Sequence, residues 1–192
     1  MKLLKNYSLL LSLILLIGCS NSDDDNNNNS NDDIDSGSGM ITAQVNGNPF
    51  EAVPEDRGVT TISAALQQSG VLFTLTVAGI DLGNDISQGD ALAVILVGTD
   101  FDEVNSGLTI TNPVSNPLAL QFSGNYGLFQ SGSGNFEDFD FDSSTGFLKI
   151  TAIDKENQVV SGEFEYNVTE RNTGQVFQIR QGVFTDIRYE VQ

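Results

Sequence analysis

Leu72-Phe73-Thr74-Leu75-Thr76-Val77-Ala78-Gly79-Ile80 is the stretch that decides the fold. Phe73, Leu75, Val77 and Gly79 alternate with Leu72, Thr74, Thr76 and Ala78. Successive side chains of an extended strand point to opposite faces, so a period of two sets one row on a core and the other outside it. β-Branched and aromatic residues fill the run, and these fit a pleated, half-buried surface.

The same period extends in both directions. Upstream, Thr60 to Leu66 reads as a partner strand, with Gln67 to Gly70 as the connection. Met40 to Val45 and Asn48 to Ala52 flank Asn46-Gly47, a dipeptide that takes positive φ at both centres of a tight hairpin. Downstream, Asp81 to Asp90 reads as loop, and Ala91 to Gly98 as a continuously apolar strand buried on both faces. Gly107 to Asn112 is a short β-branched strand, followed by a loop bracketed by Pro113 and Pro117. Leu118 to Phe129 reads as a strand in which Gly124 and Gly127 mark a bulge. Ser131 to Gly134 is a turn, Phe136 to Phe141 a strand, and Ser143 to Gly146 a further turn. Phe147 to Ile153 and Val159 to Thr169 alternate across a polar turn at Asp154 to Asn157. Asn172 to Gly174 turns once more, and a last strand runs from Gln175 to Val191 with a bulge at Gly182.

No long segment carries a helical stripe. The class is therefore all-β: a single antiparallel β-sandwich or β-barrel-like domain of about nine or ten strands over residues 40–192. The twelve phenylalanines read as core, or as the lining of a barrel lumen that holds an apolar ligand.

Ahead of that domain the composition changes twice. Residues 1–18 combine Lys2 and Lys5 with an apolar run, Leu9 to Ile17, too short to span a bilayer. Leu16-Ile17-Gly18-Cys19 then resembles the lipobox of bacterial lipoproteins, which implies cleavage before Cys19 and acylation of that cysteine, with palmitate among the chains. Residues 19–39 are rich in Asn, Asp and Ser, with nothing apolar before Ile34, and read as a disordered tether. Asp23, Asp24 and Asp25 resemble the surface-export signal of Bacteroidota lipoproteins.

Composition excludes much chemistry. The chain has 26 acids, eight bases and a net charge of −18 at pH 7. Residues 40–192 keep 20 acids and six bases, which disfavours nucleic acid. No histidine is present, so the usual general base and the commonest metal ligand are missing. Cys19 is the only cysteine, which rules out an internal disulfide and leaves no thiol for catalysis once it is acylated. Asp138, Asp140 and Asp142 are a calcium candidate. In a strand they would lie about 7 Å apart on one face, and the calcium-hand pattern fails at Ser143 and Lys149. A solvated acidic face is the simpler reading. No other cofactor is implied. Asn167-Val168-Thr169 matches a glycan acceptor by chance.

Several runs together have a familiar order. Met40 to Ala52 opens the domain; Gly146-Phe147-Leu148-Lys149-Ile150-Thr151 and Val160-Ser161-Gly162-Glu163-Phe164-Glu165-Tyr166 follow; Gly182-Val183-Phe184-Thr185-Asp186-Ile187 closes it. The chain resembles uncharacterised Bacteroidota lipoproteins in which a domain of unknown function follows a lipobox. That resemblance implies anchoring in the outer membrane and all-β architecture, and it transfers no catalytic residue. The expected function is a non-catalytic binding or interaction module held to the lipid bilayer through Cys19, with a protein, glycan or envelope component as partner. A small-ligand carrier is the alternative, and an acid-based hydrolase comes third.

Overall fold

Asn46 and Gly47 take φ of 51° and 83° in the computed structural model, the geometry expected of a two-residue hairpin turn. They join β1 (Met40–Val45) to β2 (Asn48–Ala52), paired from Val45–Asn48 to Ile41–Ala52. The structure describes residues 39–56, 59–84, 88–112, 120–130, 141–170 and 173–192. Two-residue strands β3 (Glu55–Asp56) and β4 (Val59–Thr60) pair with each other. Next come β5 (Ile62–Ser69), β6 (Leu72–Asp81), β7 (Gln88–Gly98), a 3-10 turn at Phe101–Glu103, and β8 (Thr109–Asn112). Then follow β9 (Gln121–Gln130), β10 (Phe141–Asp154), β11 (Val159–Glu170), β12 (Val176–Arg188) and β13 (Glu190–Val191).

Two sheets pack face to face. One has the order β2-β1-β12-β11-β10-β8, the other β13-β5-β6-β7-β9. They do not close into a barrel, so the fold is a β-sandwich, and the phenylalanine-lined lumen loses its frame. Instead Phe50, Phe73, Phe122, Phe164 and Phe184 pack in the core between the sheets. Among the described residues, ten strands run four residues or longer, the number expected; β3, β4 and β13 are short additions. Only β13 departs from the antiparallel rule, lying parallel to β5.

Tyr166 and Tyr189 are the largest of the fully buried side chains, and Tyr166 bridges the two sheets. It rises from the centre of β11 and crosses the interior, and its hydroxyl donates to the Asn125 carbonyl at 2.8 Å, with the Ala93 carbonyl at 3.3 Å. The ring lies flat over Gly124 of β9: a Cβ there would sit 2.6 Å from three ring carbons. This corrects the bulge expected at Gly124 and Gly127, because β9 pairs with β7 without a register shift from Gln88–Gln130 to Val97–Gln121. Gly124 is small because a ring from the opposite sheet occupies the place of its side chain. Gly146 of β10 is small for another reason: a Cβ there would meet the neighbouring β11, with the Glu165 carbonyl oxygen at 2.1 Å and Tyr166 Cα at 2.7 Å.

Two further glycines pair reciprocally with aromatic residues. Phe164 stands directly across from Gly182, and Gly162 directly across from Phe184. A Cβ on Gly182 would meet the Phe164 ring at 2.3 Å, and one on Gly162 the Phe184 ring at 2.4 Å. Each phenylalanine therefore lies over the facing glycine. The rings of Phe184, Phe164 and Tyr166 follow one another with centroids 6.2 and 5.8 Å apart, and Phe122 adjoins Tyr166 at 6.2 Å.

Other expectations are adjusted. Ser143 to Gly146 is not a turn; it lies inside β10, where the register against β11 shifts between Ser143 and Thr145. β5 continues to Ser69, so the connection to β6 narrows to Gly70-Val71, with Gly70 at φ 63°. β7 is buried along its inner face and at Ala91; Ala93, Ile95 and Val97, on the outer face with Ala91, are half-buried. The bulge in the last strand sits beside Gly182, at Gln181, which takes φ 52°. A second bulge falls at Asp186, φ 49°. At each, the opposed residue of β11 accepts from the bulged N–H: Glu165 Oε1 from Gln181 at 3.2 Å, and Ser161 Oγ from Asp186 at 2.8 Å. These bends precede Tyr189, where the chain leaves one sheet to enter the other as β13. Pro113, Pro117, Ser131 to Gly134 and Phe136 lie outside the described residues.

Overfilling a packed core typically costs about 1–3 kcal/mol. Gly124→Ala is expected to destabilise the protein by about 2–3 kcal/mol in urea unfolding, at the upper end because the clash is with a ring held on its far side. Tyr166→Phe, which leaves a buried carbonyl without its donor, is expected to lose about 1–3 kcal/mol. Wild-type midpoints for both variants would refute the clamp.

Candidate functional site

Cys19, Asp23, Asp24, Asp25, Asp138 and Asp140 lie outside the described residues. Asp142 is placed by its backbone alone, in β10 opposite Thr169. Among the described residues, no three of His, Cys, Asp and Glu are grouped so that they could hold a metal ion. The candidate features are therefore the two outer faces of the sandwich and the carboxylates at its strand ends.

The outer face of the six-stranded sheet is polar and laced. Lys149 Nζ meets Glu163 Oε2 at 3.2 Å across β10 and β11, with both side chains more than two-fifths exposed. Such a pair contributes about 0–1 kcal/mol. Arg180 donates to the Tyr166 and Ile179 carbonyls at 3.0 and 2.8 Å and to Asn167 Oδ1 at 2.6 Å. Asn167 Nδ2 in turn donates to Thr145 Oγ1 at 3.0 Å. Thr145, Asn167 and Arg180 thus form a hydrogen-bonded line over three strands, and the apparent glycan acceptor is part of that line.

The acidic strand ends are self-satisfied. Asp81 and Asp90 stand opposite each other at one end of β6 and β7. Asp81 accepts from the Glu51 and Gly83 backbone N–H groups at 3.0 and 2.8 Å. Asp90 accepts from the Tyr126 hydroxyl at 2.8 Å. At the β10–β11 turn, Asp154 accepts from the Asn157 side chain at 2.7 Å and from its backbone at 2.9 Å, and these bonds hold its carboxyl below the usual range. Each carboxylate here closes a turn or fixes a strand end.

The outer face of the five-stranded sheet is different, and reading the strands one at a time missed it. β5, β6, β7 and β9 contain only two charged residues among them, Asp81 and Asp90. Register places Thr76 beside Ile95, Thr74 beside Val97, and Ala78 beside Ala93. Ser, Gln and Asn from β5 and β9 continue these rows outward. The signal was in the sequence all the same: four strands nearly free of charge in a chain with 26 acids.

No protein-family model, no curated protein and no solved structure matches the chain. The residues themselves carry the functional argument.

Three of the four tyrosines have hydroxyls held above the ordinary value of 10.0. Burial raises Tyr166; burial, then the hydrogen bond and charge of Asp90, raise Tyr126; burial, then the charge of Asp154, raise Tyr189. A raised folded value means that the unfolded chain releases these protons first. The stability they confer is complete below pH 10.0 and declines as pH rises past it. In an alkaline titration, tyrosinate absorbance from these three residues should appear only together with loss of the β-sheet circular dichroism. Tyrosinate of Tyr126, Tyr166 or Tyr189 forming at pH 10.0 in a protein that keeps its β signal would contradict this burial.

Proposed function

We propose that this protein is a lipid-anchored interaction module of the bacterial outer membrane, with no chemistry of its own. The observation that carries this reading is Leu16-Ile17-Gly18-Cys19 at the end of a short apolar run, followed by an Asn/Asp/Ser tract. Lipid chains bury methylenes at roughly 0.8 kcal/mol each, and more than one chain is needed for lasting attachment. The polar tract then acts as a spacer between bilayer and sandwich. Asp23, Asp24 and Asp25 would direct the body to the outer surface.

Composition supports the non-catalytic part. A chain without histidine, whose only cysteine is acylated, lacks the commonest general base and the usual thiol nucleophile. The carboxylates described above are taken up by backbone N–H groups, by Tyr126 and by Lys149. An interaction module asks only for a rigid body and a surface of distinct character. The sandwich offers two such surfaces, one laced with charge and one nearly free of it.

Replacing Cys19 tests the anchor. The full chain should take up labelled palmitate and fractionate with the outer membrane, and Cys19→Ala should do neither. Protease added to intact cells should remove the wild-type body, whereas substituting Asp23, Asp24 and Asp25 together by Ala should shield it. Unchanged membrane fractionation of Cys19→Ala would overturn the anchor; unchanged shaving of the triple variant would overturn the surface address alone.

A further inference from the structure

A sheet edge presents unpaired N–H and C=O groups, a template on which another extended chain can add. The β2 edge of the six-stranded sheet is built against this. Val45 and Asn48 flank the two-residue turn and exchange both backbone bonds, so the alternation of an antiparallel ladder makes Ala43–Phe50 and Ile41–Ala52 the other bonded pairs. Pro49 and Glu51 are left facing out of the sheet. Pro49 has no N–H. The Glu51 N–H, the one donor that Asn48–Ala52 turns outward, is taken by Asp81 Oδ2 at 3.0 Å. That acceptor comes from the other sheet. Asp81 ends β6, two residues beyond Gly79, where a Cβ would lie 2.9 Å from Ala52 Cβ. Its other oxygen, Oδ1, is held by the Gly83 N–H at 2.8 Å, which fixes the carboxylate in place. Asp81 also stands directly opposite Asp90, and like charges across a strand pair cost stability. The turn at Gly83 alone would be served by Asn, without that charge. Two N–H groups call for two acceptor oxygens, which only a carboxylate supplies.

We propose that Asp81 guards the β2 edge: by crossing from β6 to occupy the Glu51 N–H, it closes that edge to the addition of a further strand. With the guard seated, Asn48–Ala52 turns only carbonyls outward, whereas an incoming strand needs donors and acceptors in alternation. A carbonyl arriving at Glu51 would find its donor taken and meet the Asp81 carboxylate, oxygen against oxygen. Pro49 and the exposed Glu51 side chain act to the same end, as proline and charge do on protected edges. The other sheet covers its edge by a different means, laying β13 along β5 at Ala65 and Leu66. Among the described strands, β2 has no such cover and depends on a side chain. This role goes beyond the anchoring proposal and holds whether or not Cys19 is acylated.

Amide hydrogen exchange and sedimentation of the full chain test the guard. In the unsubstituted protein the Glu51 amide should exchange slowly although it faces away from β1. Asp81→Ala should speed it roughly tenfold or more, as loss of a bond to a charged acceptor predicts, while the Phe50 and Ala52 amides stay protected by β1. At high salt, which screens the acidic bodies, Asp81→Ala should self-associate more strongly than the unsubstituted chain. Adding Glu51→Pro, which deletes the uncovered donor, should abolish that gain. Asp81→Asn, with one acceptor oxygen for two N–H groups, should fall between, and melting curves verify that each variant folds. The proposal is overturned if the Glu51 amide of the unsubstituted chain exchanges like an open one, a result that needs no variant to fold. It is also overturned if folded Asp81→Ala or Asp81→Asn associates no more than the unsubstituted chain, or if the Glu51→Pro double variant associates as strongly as Asp81→Ala, because the contact then lies elsewhere. None of these results bears on membrane fractionation, so the anchoring proposal stands or falls separately.

Discussion

One phenol ring lying on one missing side chain sets the spacing of this sandwich. Tyr166 belongs to the six-stranded sheet, and both its seat and its hydrogen-bond acceptors belong to the other. The ring can reach the Asn125 carbonyl only because Gly124 presents no Cβ, and β10 can approach the Glu165–Tyr166 backbone so closely only because Gly146 presents none either. Burying a hydroxyl without a partner costs a few kcal/mol, so the bond to the opposite sheet is required by the burial. The two sheets are thereby held in one relative position rather than merely pressed together by apolar area, which by itself is not directional.

The same device repeats beside it. Phe164 over Gly182 and Phe184 over Gly162 put a ring where a strand would otherwise be thin, so β11 and β12 lock in a single register. A one-residue slip would place each ring against a side chain and turn the buried row outward. Bulges at Gln181 and Asp186 then bend β12 beyond this lock, and the chain crosses to the other sheet through Tyr189. Tyr189 is fully buried against Phe101 at 6.1 Å, and its N–H is taken by the Gln158 carbonyl at 2.8 Å. A rigid frame of this kind is what allows the outer faces to differ so sharply in charge, because neither face has to change to hold the fold.

Much of this architecture could be read from residue order. The Asn46-Gly47 hairpin follows from turn chemistry, and the burial of Phe164, Tyr166 and Val168 follows from period two. What was not legible is long-range. Gly124 looks like a bulge because nothing nearby reveals a ring arriving from β11. Ser143 to Gly146 looks like a turn because small polar residues and glycine also serve a bulged strand pressed against a neighbour. Gly182 attracted the bulge assignment that belongs to Gln181, whose positive φ is supported by an acceptor on another strand, Glu165. On the site, the lipobox and the acidic triplet are local patterns and therefore readable. The neutral sheet face appears only once strand order brings β5, β6, β7 and β9 together.

The most direct test of this account is the proton spectrum of Gly124. With the Tyr166 ring face-on to the position of its absent Cβ, one Gly124 Hα should be shifted strongly upfield by ring current and show Overhauser contacts to the Tyr166 ring protons. The Tyr166 hydroxyl proton should exchange slowly enough to be observed, as its bond to Asn125 requires. A Gly124 Hα at an ordinary shift, with no contact to Tyr166, would mean that the sheets are held by something else.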